Sequence, residues 1–390
     1  MSTQPLPQST VPPSPADIPG SPLAQALTQP LLIGVFLKLA ENKGARPGAP
    51  GHAASWSFEH NERIVLRAEA LGFDLAFAPM RWLPKGQDDV ASLDSFIVLA
   101  AMAAITERLL LISTTHVLYG PIHPVHLAKW GATLDHISKG RWGINIVTGH
   151  RAVEHEMFGR PQIEHDQRYE RAAELFDVVL RLWAENENYS YSGKSPWQLH
   201  DAYISPKPLY GRPIMVNATG SDAGIDFAAR YSDLVFVTSP GGPNMEEALA
   251  TLPAHNARIK QAAQRIGRRV RTIINPVIVS RDTPREAQEY AESIVRNAVP
   301  SKDKYASDAH AWRGRGDPSR KPGKGIGGNI EIIGSPEQVV EQFQALKAAG
   351  IDGVQIGFPD FATDLDYFGA RILPLLKQAG LRLDTQETPS

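Results

Sequence analysis

Short apolar runs rich in β-branched residues alternate with longer segments of helical apolar spacing along most of the chain. This alternation predicts a parallel sheet whose strands are joined by crossover helices. The predicted strands are residues 31–37, 74–79, 109–114, 142–147, 213–217, 233–238, 271–280 and 353–358. The predicted helices are residues 58–71, 93–106, 124–138, 167–184, 221–231 and 336–349, with a last one after residue 363. Eight successive βα units favour a closed (β/α)8 TIM barrel over an open doubly wound sheet.

The ends of the chain and two internal stretches do not follow this pattern. Residues 1–30 hold eight prolines and one charged residue, Asp17, without periodic apolar positions, so we expect a disordered tail. Residues 31–380 then form a single barrel domain, and residues 381–390 form a C-terminal tail. The connections 157–167 with 186–209, and the Gly-, Lys- and Arg-rich stretch 301–328, are longer than βα units need. We interpret 301–328 as a lid over the site.

Composition excludes several classes of function. The 40 basic and 42 acidic residues give a net charge of −2, so no basic field is available for nucleic acid or an anionic membrane. The apolar runs are shorter than the ~20 residues that a membrane helix needs. No Lys or Arg precedes Lys38, which argues against a secretory or mitochondrial leader and favours the cytoplasm. The chain has no cysteine, which excludes disulfides, thiolate metal sites and a cysteine nucleophile.

Familiar cofactor and metal motifs are not supported either. Gly193-Lys-Ser195 ends like a phosphate-binding loop, but Asn188 and Pro196 stand where a glycine and a helix start are required. The glycines of 323–328 do not follow a strand, so a nicotinamide-binding fingerprint is not indicated. His150 and His155 are five residues apart and would lie about 140° apart on a helix, so no metal site is expected.

Three segments carry candidate chemistry. The chain leaves a predicted strand at Asn217 and enters a helix at Ser221, where free N–H groups can bind an anion; a plain N-cap by Ser221 or Thr219 explains the same residues. Asn145 interrupts an apolar strand near its C-terminal end, where barrel side chains face the active-site mouth. Arg168 and Tyr169 open a long helix and could reach a phosphate, or simply lie near a helix start.

At these residues the sequence resembles the bacterial-luciferase-like flavin monooxygenases, in particular the branches of pyrimidine monooxygenase and dimethylsulfone monooxygenase. The resemblance runs from about residue 31 to 376. It rests on Gly143-Ile-Asn-Ile-Val-Thr-Gly149, His165-Asp-Gln-Arg-Tyr169, Ser205-Pro-Lys-Pro208, the segment 221–233, and Tyr367-Phe-Gly-Ala-Arg-Ile-Leu-Pro374, all in matching order.

The resemblance implies a set of flavin-contacting positions, which correspond to Met80, Arg81, Asn145, Glu154, Arg168, Tyr169 and Ser221. Met80 and Arg81 would contact the flavin ring, Asn145 and Glu154 the ring and ribityl chain, and the last three the FMN phosphate. Thr114 and Asn145 would line a small pocket for dioxygen. This chain departs from the pyrimidine branch at His150, where that branch has Trp, and in two extra residues between Thr114 and Asp135, a stretch that includes His116 and Tyr119.

The activity implied is that of a two-component monooxygenase using reduced FMN and O2. A separate NAD(P)H:flavin reductase would supply FMNH2, and a flavin peroxide would pass one oxygen atom to a small organosulfur compound or N-heterocycle. His150 and His116 are candidates for proton transfer because histidine titrates near neutral pH; each is equally explained as a pocket-lining residue. A homo-oligomer is expected from the same resemblance. The alternatives are an F420-dependent hydride-transfer enzyme of the same superfamily and a non-catalytic flavin-binding protein.

Overall fold

The computed structural model describes residues 11–40, 56–83, 91–120, 122–297 and 325–384. The strands are β1 (Leu32–Phe36), β2 (Leu75–Ala78), β3 (Leu110–His116), β4 (Trp142–Val147), β5 (Tyr189–Ser192), β6 (Gln198–Ala202), β7 (Ile214–Ala218), β8 (Leu234–Val237), β9 (Arg271–Ile274), β10 (Pro276–Ser280), β11 (Ile330–Gly334) and β12 (Gly353–Ile356). The helices are α1 (Pro22–Ala26), α2 (Phe58–Ala70), α3 (Ser95–Ile105), α4 (Pro124–Ile137), α5 (Ala152–Glu156), α6 (His165–Ala184), α7 (Asp222–Tyr231), α8 (Met245–Gln264), α9 (Pro284–Arg296), α10 (Pro336–Ala348), α11 (Phe361–Tyr367) and α12 (Leu373–Gln378).

Eight parallel strands close into a barrel, so the fold predicted from the sequence is confirmed. The order around the barrel is β1, β2, β3, β4, β7, β8, β9 and β12, and β12 pairs again with β1. Each of these strands matches a predicted one to within a few residues. The prediction for 271–280 is wrong in one respect, because the segment breaks at Asn275. Its first half is the barrel strand β9, whereas its second half, β10, leaves the barrel and pairs with β11.

Alternate residues of the barrel strands point inward and fill the interior with apolar side chains. Inward-facing residues include Leu75 and Phe77 of β2 and Leu110 and Ile112 of β3, all of which are buried. Outward-facing residues pack under the helices in two further cores. The barrel interior is therefore a packed core, and a ligand site must lie at one of its ends. None of the described helices is both long and apolar enough to cross a lipid bilayer.

The expectation of a disordered tail over residues 1–30 is wrong for the described part, residues 11–30. Ser21 caps α1 by accepting the Ala24 N–H, and α1 inserts the fully buried Leu23 into the apolar interior at the amino-terminal end of the barrel. Upstream, the Ser14 hydroxyl donates to Asp233. The segment has too few apolar residues to form a core of its own, but it is ordered because it packs against the core of the barrel.

The predicted C-terminal boundary at residue 380 is also too early. Leu381 is buried, and the Arg382 guanidinium donates to both carboxylate oxygens of Asp74 at 2.5 and 3.0 Å. The same guanidinium donates to the carbonyls of Leu31 and Gly72. Arg382 therefore fastens the chain end to the strand starts on the floor of the barrel. Residues 385–390 lie outside the described residues.

Two excursions leave the barrel. The antiparallel hairpin β5–β6 lies between α6 and β7, and the Glu174 carboxylate on α6 accepts from Tyr191 and Ser195 in it. The second excursion is the β10–α9–β11 unit, which the sequence reading did not predict. The stretch 301–328, interpreted as a lid, falls mostly outside the described residues, so that interpretation stays a prediction. Its last residues adjoin β11, where the Gly327 N–H donates to Glu331.

Candidate active site

Thr114 and Asn145 lie opposite each other on neighbouring strands β3 and β4. Both are buried, and the Asn145 side-chain Nδ2 donates to Thr114 Oγ1 at 3.1 Å. They share the inward face with Ile112, one layer closer to the C-terminal end of the barrel. The second amide atom, Asn145 Oδ1, is sealed from solvent and has no hydrogen-bond partner among the described residues. A buried amide oxygen left unpaired is unfavourable, which indicates that a ligand or water donates to it.

A second polar cluster forms where β7 passes into α7. Ser221 caps α7 by accepting the Gly224 N–H at 3.2 Å. The hydroxyl of Tyr169, on α6, lies beside the hydroxyls of Thr219 and Ser221; burial raises the pKa of Tyr169, and these two neighbouring hydroxyls oppose the rise. The predicted grouping of Tyr169 with Ser221 is thus present in the structure.

Gly224 leaves no room for a side chain in this cluster. A Cβ built there would lie 1.8 Å from Thr219 Oγ1 and 2.8 Å from the Tyr169 hydroxyl. The result is a small polar cradle, made of Tyr169, Thr219, Ser221 and Gly224, at the positive end of a helix dipole. Its hydroxyl and N–H donors are of the kind that bind a phosphate monoester.

Arg168 precedes Tyr169 on α6 and is almost entirely buried. Its Nη1 donates to the Ile163 carbonyl at 2.7 Å. Its charge lies close enough to Tyr169 to lower the pKa of that hydroxyl, although burial has the larger, opposite effect. The structure therefore places Arg168 beside the cradle. A direct contact between Arg168 and a phosphate stays a prediction.

Glu154 is paired within the protein. Its Oε1 accepts from Arg151 Nη1 at 3.3 Å and from the Leu83 N–H at 3.1 Å, and Arg151 Nη1 also donates to the Leu83 carbonyl. Both charged side chains are buried. This ion pair ties the segment after β4 to the loop after β2, which carries Met80 and Arg81. A direct contact of Glu154 with a cofactor stays a prediction; in the structure it positions the loop.

Met80 and Arg81 are half-buried at the mouth. The Ser92 hydroxyl donates to the Arg81 carbonyl at 3.1 Å, which anchors the loop from its other side. The charge of Arg81 is one of the influences that lower the pKa of His116, after burial and Arg151, so the Arg81 side chain lies near the end of β3. These placements fit the predicted contacts with a flavin ring.

His116, Tyr119 and His150 form a cluster above Thr114. The rings of His116 and Tyr119 are stacked with centroids 4.8 Å apart, and His150 lies 6.1 Å from His116. The Tyr119 hydroxyl accepts the Arg151 N–H at 3.3 Å. Gly149 has a φ of 90°, and a Cβ there would lie 2.4 Å from Tyr119 Cε1. Tyr119 therefore fixes the segment that carries His150 and Arg151.

The expectation that His116 titrates near neutral pH is wrong. Burial, followed by the charges of Arg151, Arg81 and His155, lowers the pKa of His116 to about 3. The ring is therefore neutral at physiological pH and cannot act as a cationic acid. Proton transfer by His150, which is half-buried beside it, stays a prediction.

Sequence reasoning missed two residues of this region. Arg151 had no motif of its own. Gln355 did have a signal, because it interrupts the apolar strand β12 as Asn145 interrupts β4. It is fully buried, and neither of its side-chain amide atoms has a partner among the described residues.

Comparison with known proteins decides the family. The family model for luciferase-like monooxygenases matches residues 38–353. The chain belongs to the luciferase-like monooxygenase family. It is 31% identical over 347 residues to an FMNH2-dependent dimethylsulfone monooxygenase of Pseudomonas fluorescens, covering 85% of this chain and 91% of that one. It is 29% identical over 365 residues to the pyrimidine monooxygenase RutA of Acinetobacter baylyi, covering 88% and 94%.

Solved structures agree on the fold of this luciferase-like chain. The crystal structure of riboflavin lyase RcaE, with modified FMN and the substrate riboflavin, superposes with a TM-score of 0.77 at 21% identity, covering 92% of this chain and 94% of that one. At this identity the likeness concerns the fold. The family predicted from the five sequence motifs is confirmed.

Proposed function

We propose that this chain is the oxygenase component of a two-component monooxygenase that uses reduced FMN and O2. It would insert one oxygen atom into a small organosulfur compound or N-heterocycle, and the other atom would leave as water. A separate NAD(P)H:flavin reductase would supply FMNH2. The curated relatives that support this reading are named as an FMNH2-dependent dimethylsulfone monooxygenase and a pyrimidine monooxygenase.

One structural observation carries the proposal. The polar cradle of Tyr169, Thr219, Ser221 and Gly224 and the buried Asn145 oxygen, which has no partner among the described residues, belong to the same end of one barrel. A phosphate group at one place and a hydrogen-bond donor at another match the two ends of FMN. The residues present therefore fit this cofactor, which supplies the electrons that activate dioxygen.

The protein's own residues would bind the FMN phosphate, orient the flavin ring and shield the site from water. Ser221, Tyr169 and the first N–H groups of α7 would hold the phosphate, assisted by the helix dipole. Asn145, held by Thr114, would accept a hydrogen bond from the ring. The Arg151–Glu154 pair would keep the Met80–Arg81 loop in place over the site. Exclusion of water from the mouth would then protect the reaction from unproductive loss of oxidising equivalents.

We also propose that the chain forms a homo-oligomer. Helix α3 contains no charged residue, yet Ile97 on its outer face is 72% exposed. On the adjacent helix α4, Trp130 and Ile137 are also exposed, and Phe96 of α3 packs against Trp130 with ring centroids 6.0 Å apart. A helix that is apolar on all sides is normally covered. Light scattering after gel filtration tests this, and a monomer at micromolar concentration would contradict it.

The activity is tested by anaerobic titration with reduced FMN, followed by addition of ¹⁸O2 with dimethyl sulfone or uracil as probe. We expect saturable binding of reduced FMN and product that carries one ¹⁸O atom. Saturable binding with no labelled product for either probe, or for a wider panel of sulfones and pyrimidines, would favour a non-catalytic flavin-binding protein. Failure to bind reduced FMN, with binding of reduced F420 instead, would favour the hydride-transfer alternative.

A further inference from the structure

The two ring nitrogens of His116 have different surroundings. Nδ1 is sealed from solvent without a hydrogen-bond partner among the described residues, whereas Nε2 is not sealed in this way. His116 lies two residues beyond Thr114 on β3 and therefore projects from the same inward face, one step closer to the mouth. The ring is 5% exposed. The small exposed part of this side chain thus includes Nε2 and faces the candidate active site.

The orientation of the His116 ring is fixed by Tyr119, which is itself held in place by further contacts. Tyr119 stacks on it at 4.8 Å with an interplanar angle of 12°. Tyr119 is in turn held by the Arg151 N–H and by the edge contact with His155 at 4.6 Å. The chain just beyond Tyr119 is anchored by the β5–β6 hairpin, where Trp197 Nε1 donates to the Ile122 carbonyl at 3.2 Å. A 180° turn of this ring about its Cβ–Cγ bond, which would put a C–H group in place of Nε2, requires the stack on Tyr119 to break.

The groups that face the ring keep it neutral. These are Arg151 and His155 from the segment after β4, Arg81 from the loop after β2, and His150 6.1 Å away. Burial, followed by the charges of Arg151, Arg81 and His155, lowers the pKa of His116 to about 3. A neutral imidazole carries one N–H, and an orphaned buried N–H is rarer in proteins than an orphaned acceptor. The proton is therefore best placed on Nε2, the nitrogen that can reach a partner.

We propose that His116 is a substrate-recognition residue whose Nε2–H donates a hydrogen bond to an acceptor oxygen of the substrate. The proposal rests on the proposed function for the existence of a substrate at this mouth. It restricts the substrate class, because a sulfone or a ring carbonyl offers such an oxygen, whereas a thioether or an alkane does not. Tyr119 is the positioning residue that holds the donor in its direction.

The first test needs neither flavin nor turnover. Protein labelled with ¹⁵N-histidine is followed by NMR from about pH 5 to 8, and the His116 signals are assigned by their loss in His116→Gln. We expect a neutral ring protonated on Nε2 throughout, and a shift of the Nε2 signal on addition of dimethyl sulfone or uracil. A ring that titrates within this range, an Nδ1–H tautomer, or no shift with either probe would overturn the proposal.

The second test separates recognition from packing. His116→Phe keeps an aromatic ring for Tyr119 but has no donor, whereas His116→Gln places an N–H near the position of Nε2. We expect kcat/KM for the probe to fall about tenfold or more in His116→Phe, mainly through KM, and to stay within about threefold in His116→Gln. Wild-type kcat/KM in His116→Phe, or equal losses in both variants, would overturn the proposal.

Binding of reduced FMN is measured in parallel. It distinguishes a failure of the proposed FMN-dependent function from a failure of the role assigned to His116. We expect equal affinity in the wild type and both variants, since His116 is assigned to the substrate. If the wild type itself fails to bind reduced FMN, the proposed function fails, and the NMR titration with the probes still decides the role of His116.

Discussion

At the amino-terminal end of the barrel, Asp233 and Asp74 each receive two hydrogen bonds from one arginine, whereas at the C-terminal end the buried Asn145 Oδ1 has no partner among the described residues. Asp233 also accepts from the Met215 N–H and from the Ser14 hydroxyl. Each floor carboxylate is therefore fully engaged. The floor gains stability from this pairing within the protein.

The mouth, at the C-terminal end of the barrel, instead contains buried polar atoms that have no hydrogen-bond partner among the described residues. Within the described part of the chain, buried polar atoms without a hydrogen-bond partner occur in this half of the barrel wall in Thr115, His116, Asn145, Asn217, Ser239 and Gln355, against Arg141 and Ser232 at the opposite end. Each such atom lowers the stability of the empty protein, by about 1–3 kcal/mol when nothing replaces its lost hydration. A ligand or bound water at the mouth can recover that free energy.

Removing one partner on the floor should have the largest effect on stability. Arg212→Ala would leave the Asp233 carboxylate buried without its bidentate partner, and we expect a loss of about 3–5 kcal/mol. Denaturant unfolding at neutral pH measures it. Arg269→Ala is the matched control, since Arg269 is exposed and only 3.5 Å from Asp17; it should change stability by less than about 1 kcal/mol.

The pH dependence sharpens this test. Burial raises the pKa of Asp233, but Arg212 and its hydrogen bonds outweigh burial and hold the pKa below its usual value. The stability from this carboxylate is therefore present above the unfolded pKa of about 3.9 and is lost as pH falls through the folded one. In Arg212→Ala the burial of Asp233 is no longer offset by its bidentate partner, although the hydrogen bonds from Met215 and Ser14 remain, so the loss of stability relative to the wild type should become smaller on acidification. If Arg212→Ala lowers the free energy of unfolding by the same amount at pH 7 and pH 4, lost packing and not charge causes the loss of stability.

Adding a side chain inside the cradle should weaken FMN binding more than it lowers the stability of the fold. In Gly224→Ala the new Cβ would clash with Thr219 Oγ1, so we expect a loss of about 1–3 kcal/mol in stability and a more than tenfold loss in FMN affinity. Gly131→Ala is the control, because its Cβ would lie 2.9 Å from Trp183 Cζ2 inside a helix contact away from the mouth. It should lose stability and bind FMN normally. Equal FMN affinity in both variants would remove Gly224 from the phosphate site.

Much of the barrel follows from local patterns, and the exceptions have identifiable causes. The eight barrel strands are visible because each is a short apolar run between turns. Helix α9 was missed although Thr283 and Glu286 form a capping box at its start, a signal that reading for apolar periodicity passes over. The α1 segment could not be found from its own composition, because the surface that orders Leu23 belongs to strands far along the chain.

The candidate site also contains residues that local sequence signals predict and residues that depend on contacts between distant segments. Asn145 and Ser221 were found because a polar residue in an apolar strand and a hydroxyl at a helix start are local signals. The pairing of Arg151 with Glu154 and with the Leu83 backbone joins loops about 70 residues apart in the sequence, which spacing cannot show. The neutral state of His116 depends on burial and on charges from two other loops, so the residue type alone gave the wrong expectation.

Thr114→Val tests whether the pair at the centre of the mouth is needed. The substitution keeps the shape but leaves Asn145 Nδ2 without its acceptor, and we expect a loss of about 1–3 kcal/mol together with less labelled product for each FMNH2 consumed. Thr133→Val is the control. Its hydroxyl donates to the Lys129 carbonyl on an exposed helix face, so the change should stay within about 0.5 kcal/mol. A Thr114→Val protein with normal product yield would remove this pair from the reaction.

The smallest effect compares two serine N-caps, one beside the cradle and one far from it. Ser221 and Ser335 each accept the N–H of the third residue of a helix, and Ser→Ala at either should lower stability by about 1 kcal/mol. Only Ser221 adjoins the cradle, so only Ser221→Ala should also weaken FMN binding, by on the order of 1 kcal/mol, or about fivefold. Calorimetric titration with FMN measures this. Unchanged affinity in Ser221→Ala would show that its hydroxyl serves the helix alone and that the N–H groups of α7 suffice for the phosphate.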